Sequence, residues 1–195
     1  MSLDEFKVVL ARRLLQPQAV NSQGYEPVWF LVYDPCRVAE MTDFRHSLSK
    51  YLQTQGLTPV EFRVIDALWE IFESDIDWRD IKSLDDDVLD SKELMVTLKA
   101  IIEPTGNDNK LVERIKNALL AAMNKTNPVL LVSGFEALHG LMRPGSIEAK
   151  LNGYFTCPTV FFYPGKMEGK AGLRFMNFHP VDANYHSEHL EVPEA

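Results

Sequence analysis

The chain has 195 residues, of which 46% are apolar and 25% charged, and its formal net charge is -8. This composition is typical of a globular protein that buries one core, so we predict a single domain over residues 1–195. No apolar run reaches the roughly 20 residues that a membrane helix needs, and the N-terminus lacks the pattern of a secretory signal. We therefore expect a cytoplasmic protein that does not enter a membrane.

The negative charge is concentrated in one block of the sequence. Residues 61–93 contain twelve acidic and four basic side chains, which accounts for the whole imbalance. The block is either a solvated surface or a docking surface for a basic partner. No cluster of Lys and Arg offers a track for phosphates, so direct nucleic-acid binding is not expected.

Apolar residues at helical spacing predict two helices in the first third of the chain, separated by a buried strand. The helices cover residues 3–16 and 38–54, and the strand covers 28–33. The residues expected to face the core are Phe6, Val9, Leu10 and Leu14 in the first helix and Phe44, Leu48, Tyr51 and Leu52 in the second. A second strand, from Glu61 onward, is expected to lead into a helix that carries Trp69, Ile71 and Phe72.

Helices and apolar strands alternate more clearly after residue 90. Residues 73–93 predict only loop and short helix. The elements predicted next are helices over 91–102 and 110–125, a strand over 128–133, two short helical turns near 135–141 and 146–152, and strands over 157–165 and 172–178. The core positions of the 110–125 helix are Leu111, Ile115, Leu119 and Ala122. The 128–133 strand is apolar throughout, as a strand covered on both faces should be.

This alternation predicts an α/β fold with a mainly parallel sheet flanked by helices. The fold is Rossmann-like or ATPase-like without a P-loop. The last two strands are separated by about seven residues, too few for a crossover helix. We therefore predict that they form a C-terminal antiparallel edge hairpin.

The stretch "FFYPGKMEGKAGLRFMNF", residues 161–178, invites comparison with a phosphate-binding loop. Only three residues separate Gly165 from Gly169, and Ala171 follows Lys170 where a magnesium-binding hydroxyl should stand. The residues that follow alternate like a strand, so no helix N-terminus is available to hold a phosphate. We predict instead a hairpin that uses Pro164 and Gly165 to leave the strand, with no nucleotide cofactor.

The histidines and cysteines give no clear catalytic or metal-binding pattern. His186 and His189 would share a helical face if their segment were a helix, but Pro180 and the lack of an apolar stripe disfavour one. Cys36 and Cys157 lack metal-ligand spacing and are expected to be reduced thiols. We predict no catalytic residue and no metal site, and the role of these histidines and of His179 stays open.

A set of short motifs marks the last third of the chain. They are the strand at 128–133, Arg143-Pro144, Tyr163-Pro164-Gly165, Gly169 and Asn184-Tyr185. Together they resemble the BrxB family, the B component of BREX (bacteriophage exclusion) defence systems. The family tends to continue after Asn-Tyr with another aromatic residue and an arginine, where this chain has His186 and Ser187.

The resemblance implies a cytoplasmic component of a multi-protein anti-phage system. The partners it implies are a PglZ-like protein of the alkaline-phosphatase fold and other BREX components, including a DNA methyltransferase and a large ATPase. The family has no established catalytic residues, so the resemblance carries none over to this chain.

Two hypotheses about function follow. The first is a non-catalytic adaptor that binds the PglZ-like protein through an aromatic and arginine cluster, with Tyr163, Arg174, Phe178 and Tyr185 as the partner-binding residues. The alternative is a nucleotide- or metal-binding enzyme with a non-standard site around Lys166, Lys170, Arg174 and the histidines.

Overall fold

A computed structural model describes residues 1–16, 26–75, 91–105, 108–169, 172–183 and 185–194. These residues form a parallel sheet with a layer of helices on each face. The predicted α/β fold with a mainly parallel sheet is therefore confirmed.

Seven strands occur in the described ranges. They are β1 (Val28–Tyr33), β2 (Thr58–Arg63), β3 (Pro128–Ser133), β4 (Thr159–Glu168), β5 (Gly172–Phe175), β6 (Val181–Asp182) and β7 (Glu188–Glu191). Five of them lie side by side in the order β2-β3-β4-β1-β7, and all four pairings in that row are parallel. The remaining two, β5 and β6, extend the sheet beyond the carboxyl end of β4 as antiparallel strands.

The described ranges also contain six helices. They are α1 (Leu3–Leu15), α2 (Val38–Thr54), α3 (Val64–Asp75), α4 (Ser91–Ile102), α5 (Lys110–Ala122) and α6 (Pro144–Leu151), with 3₁₀ turns at Pro35–Arg37 and Phe135–Leu138. Ser2 and Glu5 form a capping box at the start of α1, and Asn109 caps α5. None of the helices in these ranges has the length and apolar content needed to cross a bilayer.

Strand β1 explains why the sheet is covered on both sides. All six of its residues are buried, and successive side chains of a strand point to opposite faces. Phe30 and its alternate neighbours pack with α3, α5 and α6, whereas Trp29 and its alternates pack with α1 and α2. The core positions predicted for α5 are all buried, namely Leu111, Ile115, Leu119 and Ala122.

Two expectations about the first half of the chain are corrected. Val9 is 38% exposed, since Ala11 takes the buried position beside Leu10. Strand β2 begins at Thr58 and ends at Arg63, because it pairs residue by residue with β3 over that range, and the apolar run from Val64 belongs to α3. The helix predicted to carry Trp69 does so, and this side chain is 60% exposed.

The C-terminal hairpin is confirmed as antiparallel, but its turn lies later than predicted. Strand β4 pairs in parallel with β1 up to Pro164 and then antiparallel with β5 from Gly165 to Glu168. Pro164 and Gly165 therefore lie inside β4, and Gly169, with φ +67, begins the turn. Lys170, Ala171 and Asn184 lie outside the described residues.

The chain after β5 departs from the predicted strand over 172–178. Met176 and Asn177 have positive φ values of 51 and 64, which end β5 at Phe175 and turn the chain away. Residues 188–191, for which no element was predicted, form β7, which pairs in parallel with β1 at the end of the row.

Candidate functional site

In open parallel sheets, ligands bind beyond the carboxyl ends of the strands, and the described residues form two small pockets there. One of about 90 Å³ is bordered by Tyr33, Arg45 and Ser133, and one of about 160 Å³ by Arg37, Lys166 and Asn177, each with other residues. Pockets for small organic ligands usually have roughly 300–1,000 Å³. Both spaces are too small for a nucleotide.

The Arg45 side chain of α2 forms part of the wall of the smaller pocket. Its Nη1 donates a 2.6 Å hydrogen bond to Ser133 Oγ at the end of β3 and lies 3.5 Å from Glu61 Oε2. The guanidinium is buried, and its Nε has no hydrogen-bond partner among the described residues. This side chain ties α2 to the carboxyl ends of β2 and β3, at the position where a doubly wound fold would hold a phosphate.

The lysine-containing hairpin carries its own counter-charge. Glu168 Oε1 lies 3.1 Å from Lys166 Nζ and 3.0 Å from Arg174 Nε. The hydrogen bond from Lys166, followed by that from Arg174, lowers the pKa of the Glu168 carboxyl. Because β5 follows the turn, the hairpin has no helix N-terminus, and its two described cations share one carboxylate.

Two of the motif residues that carry the family resemblance, Tyr163 and Tyr185, meet in one buried polar cluster. Arg143 and Pro144 begin α6, Tyr163 lies in β4, and Tyr185 lies between β6 and β7. The Tyr185 hydroxyl is 3.5 Å from that of Tyr163, and the two rings are perpendicular. Together with Glu148 and Asp182 they form what we call the tyrosine cluster.

Glu148 is the most unusual member of the tyrosine cluster. It lies on α6 between Ile147 and Leu151 and is 3% exposed. Its Oε1 accepts a 3.1 Å hydrogen bond from the backbone N–H of His186, while Oε2 has no partner in the described part of the chain. Burial raises the pKa of the Glu148 carboxyl to about 7, despite that hydrogen bond.

Asp182 lies against the N-terminus of α6. A β-carbon at Gly145 would be 2.9 Å from Asp182 Cγ, so only glycine lets the carboxylate approach the first turn of the helix. A carboxylate at a helix N-terminus interacts favourably with the helix dipole. Through Glu148 and Asp182, α6 therefore holds the segment that contains Tyr185.

The histidine of β7 and the histidines near Phe178 lie in different parts of the structure. His189 lies in β7, with its ring against Phe30 and Tyr185, and burial lowers its pKa. His186 precedes β7 in an extended segment, so the two do not share a helical face. Within the described residues, no group of three or more His, Cys, Asp or Glu side chains is placed to hold a metal ion.

His139 and His179 lie beside Phe178, which belongs to the turn that follows β5. His139 Nδ1 lies 2.9 Å from His179 Nε2, and the Phe178 ring stacks on His179 at a centroid distance of 4.7 Å. Burial, the His139 charge and the Arg143 charge, in that order, lower the pKa of His179. We call Phe178, His179, His139 and Arg143 the Phe178 surface.

The four residues predicted to bind a partner are not equally accessible. Phe178 is 61% exposed, and Arg174 is half-buried beside Glu168. Tyr185 is half-buried, and Tyr163 is fully buried. The Tyr163 ring packs inside the protein against Phe30 and Phe175, and partner binding by these four residues stays a prediction.

Sequence analysis missed Glu148 and the pairing of His139 with His179. A signal for Glu148 existed, because a single carboxylate stands between Ile147 and Leu151 on a short apolar helix face. The histidine pair joins residues 40 positions apart and leaves no local pattern.

Comparison with known proteins gives one match. The family model described as BREX protein BrxB matches residues 60–190, which is more than half of the chain and includes all the motif residues named above. No curated protein and no solved structure matches the chain.

Proposed function

The chain belongs to the BrxB family and is therefore a BREX component, and we propose that it acts there as a non-catalytic adaptor for the PglZ-like protein of the phosphatase fold. It would do so in the cytoplasm, without contacting DNA itself. The observation that carries this proposal is the exposed Phe178 ring on its strained turn.

The backbone before Phe178 supports a role in binding. Positive φ costs most side chains about 1–2 kcal/mol, with Asn among the residues that tolerate it, and Met176 and Asn177 adopt it consecutively. The turn is held by Met176 N–H donating to the Pro164 carbonyl and by Asn177 Nδ2 donating to Asp34. Strain of this kind is concentrated at functional sites, and here it keeps a large aromatic ring in solvent.

The surroundings of Phe178 fit a protein interface. Interfaces typically centre on aromatic and Arg side chains within a polar rim. Arg143 is exposed and forms no ion pair within the described ranges, so the Phe178 surface favours an acidic patch on its partner.

The test is co-expression of this chain with the PglZ-like protein of the same system, followed by co-purification and affinity measurement. We expect Phe178→Ala to weaken binding by about tenfold or more, as for a central aromatic contact. Arg143→Glu should weaken it and reduce its dependence on salt.

Tyr154→Ala is the matched control, since Tyr154 is 50% exposed and lies after α6, where it packs against Lys116. It should leave binding unchanged, and circular dichroism should show that every variant is folded. Wild-type protein that fails to co-purify at low and at moderate salt would contradict the adaptor proposal.

A further inference from the structure

The pocket of about 90 Å³ beyond the ends of β1, β2 and β3 is bordered by hydroxyl groups with unused hydrogen-bonding capacity. Tyr33 ends β1 and is 4% exposed, yet its hydroxyl forms no hydrogen bond with any described residue. Ser133 Oγ accepts the 2.6 Å hydrogen bond from Arg45, but its own proton has no acceptor in the described ranges. Buried polar groups are nearly always hydrogen-bonded, so two free donors in one small pocket indicate a ligand that accepts hydrogen bonds.

The charges around this pocket favour an anion. Arg45 is 6% exposed, its Nε has no hydrogen-bond partner among the described residues, and its carboxylate neighbour Glu61 lies 3.5 Å away. A buried charge is costly unless it is closely paired. Arg63, which pairs with Asp66 at 3.2 Å, adds a second guanidinium at the border of the pocket. The first turns of α2 and α3 also border it, and helix N-termini favour negative charge.

The carboxylate of Glu136 stands among these donors. It lies in the 3₁₀ turn after β3, borders the pocket, and its Oε2 is buried without a hydrogen-bond partner in the described part of the chain. Burial first and the Glu136 charge second raise the pKa of the Tyr33 hydroxyl, while the Arg45 charge lowers it, which places that hydroxyl near both groups. Glu136 would repel a ligand that only accepts hydrogen bonds, so the ligand should also donate one.

We propose that this pocket binds a small oxyanion that still carries a proton, namely hydrogen phosphate. Tyr33, Ser133 and Arg45 donate to the oxygens of the anion, and its P–OH group donates a hydrogen bond to Glu136. One water molecule takes up about 30 Å³ of liquid, so a space of about 90 Å³ admits a group of a few heavy atoms. Sulfate has the same shape but carries no proton at neutral pH, so Glu136 disfavours it.

The phosphate site does not depend on the adaptor proposal above. It shares no residue with the Phe178 surface, so variants of the pocket test the site without changing that surface. A phosphate held between α2 and the ends of β1 and β3 joins elements that come together only in the folded chain. Phosphate should therefore also stabilise the fold, since a ligand that binds only the folded state raises its stability.

The test is isothermal titration calorimetry of the full chain with sodium phosphate and with sodium sulfate, in a phosphate-free buffer of constant ionic strength. Phosphate should bind about tenfold more tightly than sulfate, because sulfate leaves the buried Glu136 carboxylate without a donor. Tyr33→Phe should weaken phosphate binding by about tenfold, the effect of losing a hydrogen bond to a charged group. Glu136→Gln should remove most of the preference over sulfate, because the glutamine amide can donate to either anion.

Tyr163→Phe and Glu73→Gln are the matched controls. Tyr163 is a buried tyrosine of β4 whose side chain packs on the face of the sheet opposite to Tyr33. Glu73 is exposed near the C-terminal end of α3. Both changes should leave the affinity and the preference for phosphate unchanged, and thermal melting should show that all variants are folded.

A titration with O-phosphoserine identifies the source of the phosphate group. Binding that Tyr33→Phe weakens would support this site with a phosphorylated side chain as its ligand. Phosphate binding without phosphoserine binding would support the site with free inorganic phosphate as its ligand.

Three results would overturn the proposal. One is no binding of phosphate at millimolar concentration. Another is phosphate binding that Tyr33→Phe leaves unchanged or that Tyr163→Phe weakens as much. The third is sulfate binding to the wild type as tightly as phosphate, which would show that Glu136 does not select a protonated anion.

Discussion

Replacing Glu148 with glutamine is expected to stabilise the protein at pH 8 and to change its stability little at pH 5. Burial raises the pKa of the Glu148 carboxyl from 4.5 to about 7 in the folded protein. The folded state therefore binds a proton that the unfolded state releases between these values. Stability from the protonated carboxyl is complete below about pH 4.5 and is lost as pH rises through 7.

Above pH 7 the folded protein must hold an ionised carboxylate at a 3% exposed position. A pKa difference of this size corresponds to a cost of about 3 kcal/mol, at 1.36 kcal/mol per pKa unit. Glutamine still accepts the hydrogen bond from the His186 N–H and carries no charge. Its amide can also donate toward Ser187, whose buried Oγ has no partner in the described part of the chain.

Urea unfolding at pH 5 and pH 8 measures this effect. The Glu148→Gln variant should gain about 2–3 kcal/mol over the wild type at pH 8 and little at pH 5. Glu73→Gln, which changes an exposed carboxylate, should change stability similarly at both pH values. A Glu148→Gln effect of equal size at pH 5 and pH 8 would contradict the raised pKa.

Replacing Gly165 with alanine is expected to lower the free energy of unfolding by about 3 kcal/mol, the upper part of the range for overpacked cores. A β-carbon at this position would overlap the backbone carbonyl oxygen of Arg174 in β5 and lie 2.7 Å from Tyr163 Cε1. The carbonyl belongs to the paired β5 strand and cannot move without breaking the pairing. Either β4 and β5 separate, or Tyr163 shifts away from Tyr185.

Gly169→Ala in the same hairpin is the control. Its β-carbon would meet nothing within 4 Å, so the substitution adds only the strain of φ +67, about 1–2 kcal/mol. Because β5 leads into the Phe178 turn, Gly165→Ala should also weaken binding at the Phe178 surface, and Gly169→Ala should not. Equal losses of stability in the two variants, measured by urea unfolding, would show that packing at Gly165 is unimportant.

Most residues of the family motif have structural roles that the sequence analysis did not predict. Arg143-Pro144, Tyr163-Pro164-Gly165 and Tyr185 were identified as short motifs and interpreted in part as binding residues. In the structure, Pro164 and Gly165 mark where β4 changes from parallel to antiparallel pairing, and the two tyrosines join β4 to the C-terminal segment. Most of the motif therefore stabilises the frame that presents Phe178.

The sequence alone determined the secondary elements with a strong local period and their overall arrangement. Helix α5 and strand β3 follow from apolar residues at helical spacing and from a continuous apolar run. The failed spacing at Gly165 and Gly169 also indicated a hairpin in place of a phosphate loop. These features depend on residues close together in the chain, so the pattern is visible without coordinates.

Only the tertiary structure decided the burial of residues whose exposure differs from what the local sequence pattern predicts. Strand β7 pairs with β1, and this pairing places Glu188 beside Trp29, 159 positions away in the chain. The β7 sequence "EHLE" contains no apolar run that would predict a strand. Glu148 is buried and Trp69 is exposed for the same reason. Burial depends on what packs against a side chain, and those contacts come from residues far away in sequence.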